Sequence, residues 1–158
     1  MPDFEVTSLA GQRVSLGTLV SEHKAVVVAF LSTVCPYAKY FARHLRELGD
    51  RYGPRGVFFL GIYSNNWESA EEVAEDARQR GFAFAIVRDE GHRVADRLGA
   101  ARTPEAFLVD PASRLRYRGW VKSKQESPDL QRALDAVLEG RRVPRPLTKA
   151  FGCAIDRF

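Results

Sequence analysis

The chain reads as an α/β protein, a central mixed β-sheet with helices on both faces, and three observations predict it. The runs Ala25 to Leu31 and Val57 to Tyr63 are short, rich in β-branched or aromatic residues and almost continuously apolar. Strands covered on both faces look like this. Between them, Tyr37, Phe41, Leu45 and Leu48 recur at three- and four-residue steps, the period of an amphipathic helix. Strand and helix then alternate onward, and right-handed crossovers make the early strands parallel.

Each element follows from local signals. Gly11 to Leu16 is a turn and a short strand, followed by a helical turn through Thr18 and Leu19. After the strand at 25–31, Pro36 opens a helix running to Tyr52, and Gly53-Pro54 ends it. After the strand at 57–63, Ser69 caps a helix over 69–80, with Glu71, Glu72 and Glu75 early and Arg78 and Arg80 late. That charge order complements the helix dipole. Gly81 stops this helix. Phe84 to Val87 is a third strand, and Asp89 caps a short helix over 92–98 that Gly99 closes. Ala106 to Val109 and Leu115 to Tyr117 form a hairpin around Asp110-Pro111-Ala112-Ser113, and Pro128 to Leu138 is the last helix, ended by Gly140. The domain spans residues 1–140, and residues 141–158 follow as a tail.

With 158 residues, 45% hydrophobic and 28% charged, the chain can bury a core without metal or disulfide staples. Its formal charge is +4. The tail carries all of that excess in Arg141, Arg142, Arg145, Lys149 and Arg157 against Asp156, leaving the first 140 residues balanced. No aromatic residues interleave these cations in a nucleic-acid-binding pattern, so a solvated tail is expected and no nucleic-acid partner. No apolar run approaches the roughly 20 residues that span a bilayer, and Met1 to Glu5 holds neither a basic nor an apolar leader region. A cytoplasmic protein without a membrane partner is expected. Two cysteines are too few for a disulfide scaffold, and His23, His44 and His92 lie apart from them, so no metal site is expected.

The chemistry concentrates at Thr33-Val34-Cys35-Pro36. This segment joins the carboxyl end of a buried strand to the amino end of a helix, where open α/β sheets place ligands. Unpaired amides and the positive end of the helix dipole favour a thiolate at Cys35. The thiolate is the form that attacks peroxides and disulfides. Other polar and aromatic residues read as structural: Trp67 and Trp120 as core or rim aromatics, and His44 as too far along its helix to serve Cys35 as a base.

Pro2-Asp3-Phe4, Gly11 to Leu16, Phe30 to Pro36, Thr103-Pro104-Glu105 and Phe107 to Asp110 together carry a resemblance. The chain resembles the thioredoxin superfamily, in the branch of alkyl hydroperoxide reductase C and thiol-specific antioxidant proteins, the peroxiredoxin-like redoxins. The resemblance covers nearly the whole domain and implies a thioredoxin-like fold. It implies Cys35 as the attacking nucleophile, Thr103-Pro104 as a cis-proline element facing the thiol, and Ser32, Thr33 and Pro36 as further substrate-site residues. Peroxide or disulfide substrates and an external thiol reductant such as a thioredoxin-type protein are implied, with no cofactor.

Departures from the family pattern narrow the reaction. Ala38 stands where a thioredoxin has its second cysteine, which excludes dithiol exchange within the motif. Val28 stands where peroxiredoxins carry a proline seven residues before the cysteine. Pro104 occupies the position expected for their arginine, with Arg102 two residues away as a substitute. Cys153, in Gly152-Cys153, is either a resolving thiol for an oxidised Cys35 or an apolar residue anchoring the tail beside Phe151 and Ile155. A thiol-dependent oxidoreductase is the expected function, and a non-catalytic redox-sensing or binding module is the alternative.

Overall fold

A computed structural model describes residues 1–157. An antiparallel pair, β1 (Glu5–Thr7) and β2 (Arg13–Ser15), leads into α1 (Leu16–Glu22), whose N-cap Ser15 accepts from the Thr18 amide. Then come β3 (Ala25–Leu31), α2 (Pro36–Tyr52), β4 (Val57–Tyr63), α3 (Ala70–Gln79), β5 (Ala85–Arg88) and α4 (Arg93–Leu98). The two-residue strand β6 (Arg102–Thr103) precedes the hairpin of β7 (Glu105–Val109) and β8 (Leu115–Gly119). Helix α5 (Asp129–Leu138) and a second two-residue strand, β9 (Cys153–Ala154), complete the chain.

The central sheet has the order β5-β4-β3-β7-β8. β3, β4 and β5 are parallel, whereas β7 runs antiparallel to β3 and β8 antiparallel to β7, so the sheet is mixed. All seven residues of β3 are buried because both faces are covered. Its side chains alternate between two cores, as a strand's period of two requires. Val27 and Leu31 pack with Leu45 of α2, Val73 of α3 and Leu134 of α5 on one face. Val26, Val28 and Phe30 pack with Leu19 of α1 and Val94 of α4 on the other. Five buried side chains of this kind on one strand, at about 1.5–3 kcal/mol each, make β3 the fixed reference for the loop that follows it.

The differences from the sequence reading have local causes. Sequence pattern does not reveal β1, three residues that β2 stabilises by pairing. The third strand starts one residue later, at Ala85, where its register with Leu60 begins. Helix α4 starts at Arg93 rather than His92, since Gly91 and His92 both have positive φ. Asp89 nevertheless caps it, accepting from the amides of Val94 and Ala95 at 3.0 Å each. Pro128 is the N-cap of α5 rather than its first residue, and Arg80 likewise ends α3 as its C-cap.

The tail is built into the structure. Arg118 donates to Pro146 O at 2.9 Å and Thr148 donates to Arg118 O at 3.0 Å, which ties residues 146–148 to the free edge of β8. A Cβ on Gly119 would fall on the Thr148 side chain, so only glycine admits this close approach. β9 then pairs antiparallel with β6, and Ile155, buried, donates to Ala101 O at 3.0 Å.

Candidate functional site

Cys35 is the N-cap residue of α2, and Pro36 takes the first helical position. Cys35 is 0% exposed while its neighbour Val34 is 65% exposed, so the loop turns the thiol inward. The Ser32 hydroxyl sets that turn by accepting from the amides of Val34 and Cys35, each at 3.2 Å. It also accepts from Asn65 Nδ2 at 3.1 Å. The peptide group between Ser32 and Thr33 is gripped at both ends. Arg80 donates to Ser32 O at 3.0 Å, and Glu68 Oε2 accepts from the Thr33 amide at 2.6 Å.

Glu68, Asn65 and Arg80 are the residues that sequence reasoning missed. A signal was present for two of them: four of the five residues directly after β4, Ser64, Asn65, Asn66 and Glu68, are polar. Parallel pairing of β4 with β3 puts that run at the same end of the sheet as Cys35. Glu68 is fully buried, and burial pushes its carboxyl above the usual range against the lowering effect of Thr33 and Asn65. Its second oxygen and the Thr33 hydroxyl are buried without a hydrogen-bond partner among the described residues.

The other wall of the site is the segment around Pro104. The Thr103–Pro104 peptide bond is cis, and the Cys35 thiol donates to Thr103 O at 3.2 Å. Thr103 is buried and stands opposite Cys153 in the β6/β9 ladder. This pairing brings the chain's two cysteines, 118 positions apart in the sequence, into one site. Gly152, at φ +134°, makes it sterically possible, because a Cβ there would lie 2.0 Å from Thr103 O. Phe151 anchors the approach with its ring 5.4 Å from Tyr37 and 5.8 Å from Phe41, both edge-on. Beyond β9, Asp156 donates to Asn65 Oδ1 at 2.7 Å, so the tail also binds the loop that braces Ser32.

The two thiols lie close enough to shift each other's acidity in opposite directions. Burial raises Cys35, but hydrogen bonds from Cys153, Thr103 and the backbone amides of Ala38 and Cys153 outweigh it and hold the thiol below its ordinary value. For Cys153, burial comes first, and the hydrogen bond and charge of Cys35 add to it, pushing it up to about 11 despite Arg102. Cys35 is thus the more acidic of the two thiols. Arg102 exerts its charge on Cys153.

Among the described residues no three His, Cys, Asp or Glu side chains are grouped to hold a metal ion, and no helix is long and apolar enough to cross a membrane. Trp67 is half exposed, and Trp120 packs 6.1 Å from Phe151 at the rim of the site.

The folded chain superposes on a hypothetical protein from Sinorhizobium meliloti 1021 with a TM-score of 0.90 and 29% identity, covering 99% of this chain and 92% of that one. An uncharacterized conserved protein from Geobacillus kaustophilus matches at TM-score 0.89 and 32% identity over 98% of this chain and 88% of that one. A putative thiol:disulfide interchange protein from Chlorobium tepidum shares the fold at TM-score 0.75 and 16% identity, covering 87% of this chain and 94% of that one. Comparison with curated proteins gave no match. The mixed sheet with a cis-proline beside a strand-to-helix cysteine is the thioredoxin-like fold, and residues 1–118 match the model of the AhpC/TSA family. The chain belongs to the AhpC/TSA family.

Proposed function

We propose that this protein is a thiol-dependent oxidoreductase in which Cys35 attacks a peroxide or disulfide and Cys153 resolves the product. The observation that carries the reading is the β6/β9 ladder, which holds Cys153 opposite Thr103 while the Cys35 thiol bonds to Thr103 O. The acidities divide the labour between the two sulfurs. With a peroxide ROOH, the Cys35 thiolate takes the distal oxygen to give sulfenic acid, and the leaving alkoxide takes a proton to become ROH. The Cys153 thiol then condenses with the sulfenic acid, forming the S–S bond and releasing water. With a disulfide, Cys35 expels one thiolate and forms a mixed disulfide, and Cys153 expels the second. Either route ends at a Cys35–Cys153 disulfide, which two equivalents of an external thiol return to the dithiol. Ser32, Thr33 and Pro36 on the loop and Thr103 and Pro104 on the cis-proline segment, on either side of the attacking sulfur, serve as the substrate-binding residues. The cytoplasm, where thiol reductants are abundant, suits this cycle.

Stoichiometric hydrogen peroxide, followed by acid quenching, alkylation and mass-spectrometric mapping, tests the reading. An intramolecular Cys35–Cys153 link is expected, with loss of peroxide consumption in Cys35→Ser. Undiminished consumption in that variant, or oxidised protein lacking the link, overturns it. Complete burial of Cys35 favours one second reading, a redox-sensing module without turnover. There the link forms once and no thiol reductant supports repeated cycles.

A further inference from the structure

Beside the β6/β9 ladder lies a cleft of about 680 Å³, a size suited to a small-molecule ligand. Arg102, Arg118, Arg145 and Lys149 line it with Trp120 and a single acid, Glu105. Two of the cations are already matched. Arg118 bonds Glu105 at 3.0 Å, and Arg145 lies 3.7 Å from Asp129 with its guanidinium over the Trp120 ring. Arg102 and Lys149 are exposed and have no ion-pair partner among the described residues. Both belong to the site's own strands and tail: Arg102 stands opposite Ala154, next to the Thr103–Cys153 pair, and Lys149 lies four residues before Cys153.

Access adds a second, independent constraint. Cys35 has no exposed surface, whereas Cys153 is partly exposed on the strand above it. A disulfide between them is therefore approached from the side of Cys153, the residue that keeps exposed surface. The sulfur beneath is the better leaving group, since the amides of Ala38 and Cys153 receive its charge.

We propose that this cationic cleft binds a carboxylate-bearing thiol, which reduces the disulfide by attacking Cys153. The proposal rests on the two-cysteine cycle and names the class of its reductant and the sulfur it meets. The incoming thiolate RS⁻ bonds to Cys153 Sγ as the Cys153–Cys35 bond breaks, and the electron pair leaves on Cys35 as thiolate. A second RS⁻ attacks the sulfur of R in the mixed disulfide, releasing RSSR, and Cys153 leaves and takes up a proton. Arg102 and Lys149 hold the carboxylate of the first thiol.

Oxidised protein is treated with 3-mercaptopropionate, 2-mercaptoethanol or cysteamine, compared at equal thiolate concentration, and quenched with acid for adduct mapping. The anionic thiol is expected to react about tenfold faster than the neutral one, the lower end of electrostatic steering. The cationic thiol is slowest, and the trapped adduct sits on Cys153 with Cys35 free. In the double variant Arg102→Gln/Lys149→Gln the anionic-to-neutral ratio falls towards one, and Arg102→Lys/Lys149→Arg restores it. Adducts on Cys35, or equal rates for the three thiols, overturn the proposal while leaving the two-cysteine cycle standing. Oxidised protein that holds no Cys35–Cys153 link removes that cycle itself, a separate outcome seen before any thiol is added.

Discussion

Cys153 stands opposite Thr103 in an antiparallel ladder of two residues, and Thr103 O in turn accepts from the buried Cys35 thiol. The strand beside the cis-proline therefore has its edge filled by the chain's own tail. An extended segment adds to a sheet edge mainly through backbone hydrogen bonds, with side chains deciding what fits. Here Gly152 meets the closest backbone and Cys153 brings the chemistry.

Gly152→Ala tests how tightly this arrangement is specified. The new Cβ meets Thr103 O at 2.0 Å, and the φ of +134° is one that side chains rarely adopt. Strain of about 1–3 kcal/mol is expected, enough to displace β9 before it unfolds the sheet. Thermal melting should fall modestly, while peroxide-induced Cys35–Cys153 linkage should largely vanish. A normal yield of that link in the variant would show that the ladder does not hold the thiols together.

The acidity of Cys35 gives a pH-dependent prediction. Burial opposes its ionisation, and the hydrogen bonds from Cys153, Thr103 and the Ala38 amide override that. The midpoint of its alkylation rate against pH should lie below ~8.5, the unperturbed cysteine value. Cys153→Ala keeps the backbone amide but removes the thiol, so the midpoint should rise. A depressed folded pKa contributes stability that is present above the unfolded value and lost as pH falls through the folded one. Cys153 behaves oppositely, with stability present below its unfolded value and lost as pH rises through about 11. An unchanged Cys35 midpoint in Cys153→Ala would mean the two thiols do not interact.

Ser32→Ala removes an acceptor that serves three donors at once, the amides of Val34 and Cys35 and the side chain of Asn65. Leaving buried donors unpartnered costs about 1–3 kcal/mol. The loop should loosen with it, so the Cys35 thiol should become more accessible. Urea unfolding and the rate of Cys35 alkylation at fixed pH measure the two effects. A stable variant with an equally slow thiol would show that the hydroxyl does not shape the loop.

How much of this was legible in the sequence depends on whether a residue's partner is near in the chain. β3, α2 and β4 have the limits their patterns predict, because apolar periodicity records burial directly. Cys35 and the Thr103–Pro104 element were visible from motif and resemblance, and they do meet. Whether Cys153 reaches the site was not decidable, because it depends on Phe151 packing against Tyr37 and on Gly152 passing Thr103 O. Two-residue strands such as β6 and β9 have no periodicity to read. Glu68 and Arg80 escaped for a different reason. They grip a peptide group, Ser32–Thr33, and although the polar residues after β4 mark the place of Glu68, no side-chain pattern names a backbone partner.

That grip carries the last prediction. Glu68 is buried with one oxygen on the Thr33 amide and the other without a partner among the described residues, and burial raises its pKa. A carboxyl raised in the folded state contributes stability that is full below the unfolded value, ~4.3, and is lost as pH rises through the folded one. Glu68→Gln preserves an oxygen to accept from Thr33 and removes the titration. Its stability should therefore fall less than the parent's as pH rises from about 4.3 through the folded pKa. Glu68→Ala removes the acceptor altogether, leaves the Thr33 amide buried alone and should cost about 1–3 kcal/mol at every pH in that range. Urea midpoints for the three proteins at pH 4.5 and 7 separate the two contributions. If Gln and Ala variants lose the same stability, hydrogen bonding to Thr33 is not what Glu68 supplies. If parent and Gln variant change with pH in parallel, its proton does not matter to the fold.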